Sequence, residues 1–74
     1  FRSDDVQIQM QCADIEVMQG DLEQGFKRLL RLISVLSGDE QKGVKDRLLE
    51  LFALVDSADP RVIKARAALA NALF

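Results

Sequence analysis

The stretch Asp14-Ile15-Glu16-Val17-Met18-Gln19-Gly20-Asp21-Leu22-Glu23-Gln24-Gly25-Phe26-Lys27-Arg28-Leu29-Leu30 decides the fold. It reads as the end of one helix, a tight reversal at Gly20-Asp21, and the start of a second helix. Gly20 tolerates the left-handed backbone that closes a helix, a conformation that penalises any residue with a Cβ. Asp21 is then expected to cap the next helix, its carboxylate accepting from the free N–H groups of the first turn. Gly25 falls one turn inside the second helix, where the lack of a side chain lets two helix backbones approach closely. The unit is an αα-hairpin.

Upstream of the reversal, Ser3 is a good N-cap, and Asp4 and Asp5 stand where the helix dipole favours negative charge. The first helix is expected from Asp4 to Gln19. Its apolar residues form two stripes. Val6, Met10, Ala13 and Val17 share one side; Ile8, Cys12 and Ile15 share the far side, with Gln9 and Glu16 between them. Two stripes on one helix imply contact from two directions. With no upstream neighbour, one stripe is expected to stand partly bare.

The second helix is expected from Leu22 to Leu36. Leu22, Gly25, Phe26, Leu29, Leu30, Leu32, Ile33 and Leu36 give it one wide apolar face, which makes it the central helix. Lys27, Arg28 and Arg31 lie on its polar face, as a solvated surface or as a small basic strip for an acidic partner. Gly38 is expected to supply a left-handed cap after Ser37, with Asp39 or a neighbour capping a third helix from Glu40 to Asp56. Val44, Leu48, Leu51, Phe52 and Val55 form its core stripe. Gly43 either permits close contact with the second helix or marks a frayed first turn. Asp59-Pro60 is a strong start signal, an N-cap followed by proline at the first helical position. The fourth helix is expected from Pro60 to Leu73. Val62, Ala65, Leu69 and Leu73 form one face, and Ile63, Ala67, Ala70 and Phe74 another. Arg66, between them, must snorkel or find a carboxylate, with Glu50 and Asp56 as candidates.

Bulk properties narrow the function. The 74 residues make one domain at most, and the 49% hydrophobic and 30% charged content is that of a folded chain. A net charge of −2 speaks against a nucleic-acid module, which normally carries a basic surplus. The charge is uneven, −4 over residues 1–40 and +2 over residues 41–74. One cysteine, Cys12, forms no internal disulfide and reads as a buried, inert thiol. There is no histidine, no zinc-ligand spacing and no phosphate-cradling glycine run, so neither an enzyme nor a metal or cofactor site is expected. No apolar run approaches the roughly 20 residues of a membrane span. No signal peptide is seen, and a cytoplasmic location is expected.

Two hairpins in succession suggest a repeat. The first resembles the tetratricopeptide pattern: Ala13 at the small position of the first helix, Gly20-Asp21 at the turn, Gly25 where alanine is usual, then Phe26, Leu29, Leu32 and Ile33. It departs from that pattern at Gln9 and Glu16, where large aromatics are common. The second hairpin is more degenerate. Its turn comes about 38 residues after the first, against about 34 in the standard repeat.

A narrower resemblance rests on Ala13-Asp14 through Gly20, Phe26-Lys27-Arg28-Leu29, Arg47-Leu48-Leu49-Glu50-Leu51-Phe52, Asp59-Pro60-Arg61-Val62, Ala65-Arg66, Leu69-Ala70 and Ala72-Leu73-Phe74. Together these resemble the C-terminal tetratricopeptide-like region of YbbN/CnoX-type thioredoxin-like proteins. The resemblance implies an upstream thioredoxin domain in the same chain, and a co-chaperone that holds unfolding clients and hands them to chaperonin.

The expectation is therefore an all-α domain over residues 1–74, four antiparallel helices arranged as two αα-hairpins, tetratricopeptide-like, cut from the C-terminal end of a longer chain. Its expected function is protein–protein interaction, with Ile8, Cys12, Ile15, Ile63, Ala70 and Phe74 meeting a partner or client. Two rival readings stand beside it. One is a homodimerising helical module using the same faces. The other is a nucleic-acid-binding domain using Lys27, Arg28, Arg31, Arg61, Lys64 and Arg66.

Overall fold

The computed structural model describes residues 3–73, with side chains described from Asp5 onward. Four α-helices follow one another: α1 Ser3–Met18, α2 Leu22–Val35, α3 Gly38–Leu54 and α4 Pro60–Leu73. No strand occurs among the described residues. The expected Ser3 cap and the roles of Asp4 and Phe74 lie outside the described side chains.

The first reversal closes through the backbone. Gly20 has φ +88°. Its N–H donates to the Val17 carbonyl at 3.0 Å, and the Asp21 N–H donates to the Glu16 carbonyl at 2.8 Å. These are the two bonds of a Schellman closure, which satisfy carbonyls that the helix end leaves free. The expected Asp21 side-chain cap does not form. Asp21 is held at φ −89°, ψ 66° by its bond to Glu16, away from the extended backbone from which a capping carboxylate reaches back. Only its carbonyl serves α2, accepting from the Gly25 N–H at 3.2 Å.

The second connection differs from expectation in register. α2 ends at an extended Leu36, whose N–H donates to the Leu32 carbonyl at 2.9 Å. Gly38 is left-handed as expected, φ +64°, but it opens α3 instead of closing α2, behind an extended Ser37 whose hydroxyl makes no capping bond. Gln41 Nε2 donates to the Ile33 carbonyl at 3.0 Å, so a side chain of α3 satisfies a carbonyl in the last turn of α2. α3 also ends two residues earlier than expected. Asp56 is drawn out of the helix because its carboxylate accepts the Ala58 N–H at 2.9 Å, an Asx turn.

The Asp59-Pro60 start is as expected. Asp59 Oδ1 accepts from the Arg61 N–H at 2.8 Å, and its carbonyl accepts from Val62 and Ile63 at 3.0 and 3.1 Å. The Arg61 guanidinium also returns to the same carboxylate, Nη2 to Oδ2 at 2.8 Å. The guanidinium bond first and the backbone N–H second hold the Asp59 carboxyl at about 2, below the ordinary 3.8, so the cap is fully charged at neutral pH.

The core runs through all four helices. Val6 and Ala13 come from α1; Leu22, Phe26, Leu29, Leu32 and Ile33 from α2; Val44, Leu48, Leu51 and Phe52 from α3; Val62, Ala65 and Leu69 from α4. Each large side chain buried this way contributes about 1.5–3 kcal/mol. α2 supplies more of them than any other helix, and it is the one against which α1, α3 and α4 all pack. α4 lies chiefly along α2, while α3 and α4 make few close backbone approaches to each other. Arg66 spans that second hairpin, its guanidinium carbon 5.5 Å from the centre of the Phe52 ring. It finds no carboxylate among the described residues: Glu50 pairs with Arg47 at 2.8 Å, and Asp56 is committed to its turn.

Gly25 meets α1 closely, as expected. A Cβ there would lie 2.8 Å from Val17 Cγ2 and 3.1 Å from the Ala13 carbonyl oxygen. Gly43 does neither of the two things expected of it. A Cβ there would meet nothing within 4 Å, and α3 runs unbroken through it. Gly43→Ala therefore gains helix propensity without a clash. Stability to urea is expected to rise by about 1 kcal/mol. A fall would show that Gly43 has a backbone role which its surroundings do not reveal.

Candidate interaction surfaces

The far stripe of α1 stands bare. Ile8 and Ile15, seven residues apart on one face, are each 54% exposed. Cys12, between them, is a half-buried free thiol, less enclosed than the sequence suggested. Met18, three residues beyond Ile15, prolongs the row and is 87% exposed. Its spacing from Ile15 was the available signal for it. The opposite stripe behaves as core: Val6 and Ala13 are buried, and Met10 and Val17 pack against the cluster.

On α4, Ile63 is 56% exposed, and Ala67 and Ala70 continue its face into solvent. Phe74, expected on the same face, is outside the described residues. The structure thus leaves Ile8, Ile15, Ile63 and Ala70 on the surface, but on two separate rows and not in one site. Further exposed apolar residues stand at Val35, Leu49, Leu54 and Leu73. Val35 and Leu54 end their helices, and with Leu49 they fall outside the apolar stripes that helical spacing gives α2 and α3.

Two bidentate ion pairs lock the polar edge of α1 to its neighbours. Arg28 of α2 donates from Nε to Glu16 Oε1 at 2.7 Å and from Nη2 to Oε2 at 3.2 Å, while Nη1 reaches Gln9 Oε1 at 2.6 Å. Arg47 of α3 holds Asp14, Nε to Oδ1 at 2.9 Å and Nη2 to Oδ2 at 2.7 Å. Fork-to-fork geometry of this kind fixes orientation as well as adding energy. Hydrogen bonding, to Glu16 and to Asp14 respectively, raises the pKa of both guanidiniums above the ordinary arginine value.

These pairs break up the basic strip. Of the six cations in the nucleic-acid reading, Arg28 and Arg61 are tied to carboxylates and Arg66 rests over Phe52. Lys27, Arg31 and Lys64 make no ion pair among the described residues. No group of three or more His, Cys, Asp and Glu side chains among the described residues could hold a metal, and no described helix is long and apolar enough to cross a membrane.

The family model for the tetratricopeptide repeat matches residues 2–74. This chain is a tetratricopeptide-repeat protein. The repeat's small-residue positions are the ones that bring its helices together here, with Ala13 fully buried and Gly25 against Val17. Its aromatic positions are replaced by a polar device, for Gln9 and Glu16 are the two residues that Arg28 grips. The tetratricopeptide domain is 44% identical over 72 residues to uncharacterized proteins of Mycobacterium bovis and of two strains of Mycobacterium tuberculosis. The match covers 97% of this chain and 24% of each relative, so the domain spans about a quarter of the length of those relatives. No solved structure matches it.

Proposed function

We propose that this domain is the partner-binding module of a thioredoxin-like co-chaperone, holding an unfolding client or partner protein against its bare apolar rows. Tetratricopeptide repeats generally mediate protein–protein interaction, and that much follows from the family. The observation that carries the finer reading is the row on α1. Ile8, Ile15 and Met18 are more than half exposed on a helix whose other side is core. Apolar surface of this kind gains free energy when covered, and a continuous row suits an extended or helical apolar segment of a client. Cys12 lies within this row, and Ile63, Ala70 and Phe74 form the second contact. The upstream thioredoxin domain and the hand-over to chaperonin rest on the resemblance quoted above.

The test is suppression of aggregation of chemically unfolded citrate synthase, followed by light scattering. The domain is expected to slow aggregation, and Ile8→Ser/Ile15→Ser is expected to lose most of that effect while melting as the parent does. Both side chains lie outside the core, so the substitution removes surface and not packing. Undiminished suppression by the variant would refute the α1 contact. A dimer in sedimentation that the same substitutions dissociate would favour self-pairing of this face over client binding.

A further inference from the structure

A second surface is built from different residues. Between α2 and α4 lies an open groove of about 510 Å³. Phe26 and Ala65, both buried, form its floor, Leu30 and Ala68 its sides, and Lys27 and Lys64 rise from opposite walls. No residue of α1 lines it. The two ends differ in charge. Near Pro60, Arg61 is already neutralised by Asp59 and faces Glu23, whose charge also acts on it. Farther along, Lys27 and Lys64 are exposed and make no ion pair among the described residues. An apolar floor flanked by two unanswered ammonium groups is the complement of a helix with one apolar face and carboxylates on both flanks.

We propose that the α2–α4 groove docks an acidic amphipathic helix of a partner protein. Residues 23–30 and 60–68 wall it, seven steps on one side and eight on the other, or about 10–12 Å at 1.5 Å per residue. That length accommodates about two turns of helix, with apolar anchors spaced i, i+3 or i+4, and i+7. Lys27 and Lys64 then select by charge: they attract a glutamate-flanked helix and repel a lysine-flanked one with the same apolar residues. This surface is independent of the α1 row, and it stands whether or not the client-holding reading does.

The experiment uses two synthetic peptides of about 14 residues, twice the roughly two turns that the groove covers. They share leucines at i, i+3, i+4 and i+7 and differ only in glutamate or lysine at the flanking positions. Binding to the 74-residue chain is read by fluorescence anisotropy and by amide chemical-shift mapping. The acidic peptide is expected to bind about tenfold or more tightly than its basic twin at low salt, with shifts at Lys27, Leu30, Lys64 and Ala68. Lys27→Glu/Lys64→Glu is expected to reverse the preference while leaving the thermal melt unchanged, since both side chains are solvated and unpaired. The proposal is overturned by equal affinity for the two peptides or by no binding of either. Shifts confined to Ile8 and Ile15, or a groove filled by a second copy of the chain, would overturn it equally.

Discussion

Phe52→Ala is expected to leave much of the domain unfolded at 37 °C. Phe52 is 1% exposed, and its ring meets Phe26 edge-on, centroids 5.0 Å apart at 77°. That geometry sets the positive ring edge against the negative face, an arrangement worth about 0.5–1.5 kcal/mol beyond burial. On one side Phe52 thus joins α3 to α2; on another it carries the Arg66 guanidinium of α4. Truncation removes both contacts and leaves a cavity, at about 3–5 kcal/mol for a buried phenylalanine. A chain of 74 residues has about 4–11 kcal/mol in total, taking 0.05–0.15 per residue. The loss therefore takes about a quarter of the stability at best and all of it at worst. Urea denaturation followed by circular dichroism at 222 nm measures it, with Phe52→Leu as the variant that keeps most of the volume. A loss below about 2 kcal/mol would mean that α3 and α4 do not depend on a core shared with α2.

The contacts around Phe52 also show what a single sequence can and cannot disclose. Its own burial followed from spacing, since Val44, Leu48, Leu51 and Phe52 repeat at helical intervals and all are core. The central position of α2 followed from the width of its apolar face. Gly20 and Asp59-Pro60 were legible because a left-handed glycine and a capped proline are local matters, settled within four or five residues. The partners of charges were not. Arg28 finds Gln9 and Glu16, and Arg47 finds Asp14, across separations of 12 to 33 residues that no periodicity encodes. Arg66 illustrates the limit most sharply. Glu50 and Asp56 were reasonable partners by position, but each has a nearer claim on its oxygens, and the guanidinium settles on an aromatic face.

The bare rows were half legible for the same reason. That α1 carries more apolar surface than one contact hides is a property of its two stripes, and Ile8 and Ile15 are exposed accordingly. The described chain is only 16 Å thick in its thin direction, about two helix layers at 8–10 Å between axes. In two layers a flanking helix has one covered side. The groove between α2 and α4 had no signal in either helix alone. Lys27 and Lys64 become a pair only when α4 lies along α2, a packing choice made between helices that are distant in sequence.

Gly25→Ala is expected to destabilise the domain by up to about 2 kcal/mol, against the usual direction of a glycine-to-alanine change in a helix. Propensity alone would stabilise by about 1 kcal/mol. The opposing effect is contact with α1. The new Cβ would sit 2.8 Å from Val17 Cγ2 and 3.1 Å from the Ala13 carbonyl oxygen. Neither neighbour yields easily. A helical valine keeps nearly one χ1 rotamer, and the carbonyl belongs to the backbone of α1. Relief requires α1 and α2 to move apart, which loosens Ala13 and stretches the bidentate bond between Arg28 and Glu16. Overpacking of this kind costs about 1–3 kcal/mol, which offsets the propensity gain at its low end and exceeds it by about 2 kcal/mol at its high end, and Gly25→Leu, which adds three more carbons at the same contact, is expected to cost more than Gly25→Ala. A double-mutant cycle separates the terms. In a Val17→Ala background the closest contact is gone, so Gly25→Ala should be about 1 kcal/mol less harmful there than in the parent. Should Gly25→Ala instead stabilise the parent chain, α1 and α2 have slack between them, and the glycine is not what sets their spacing.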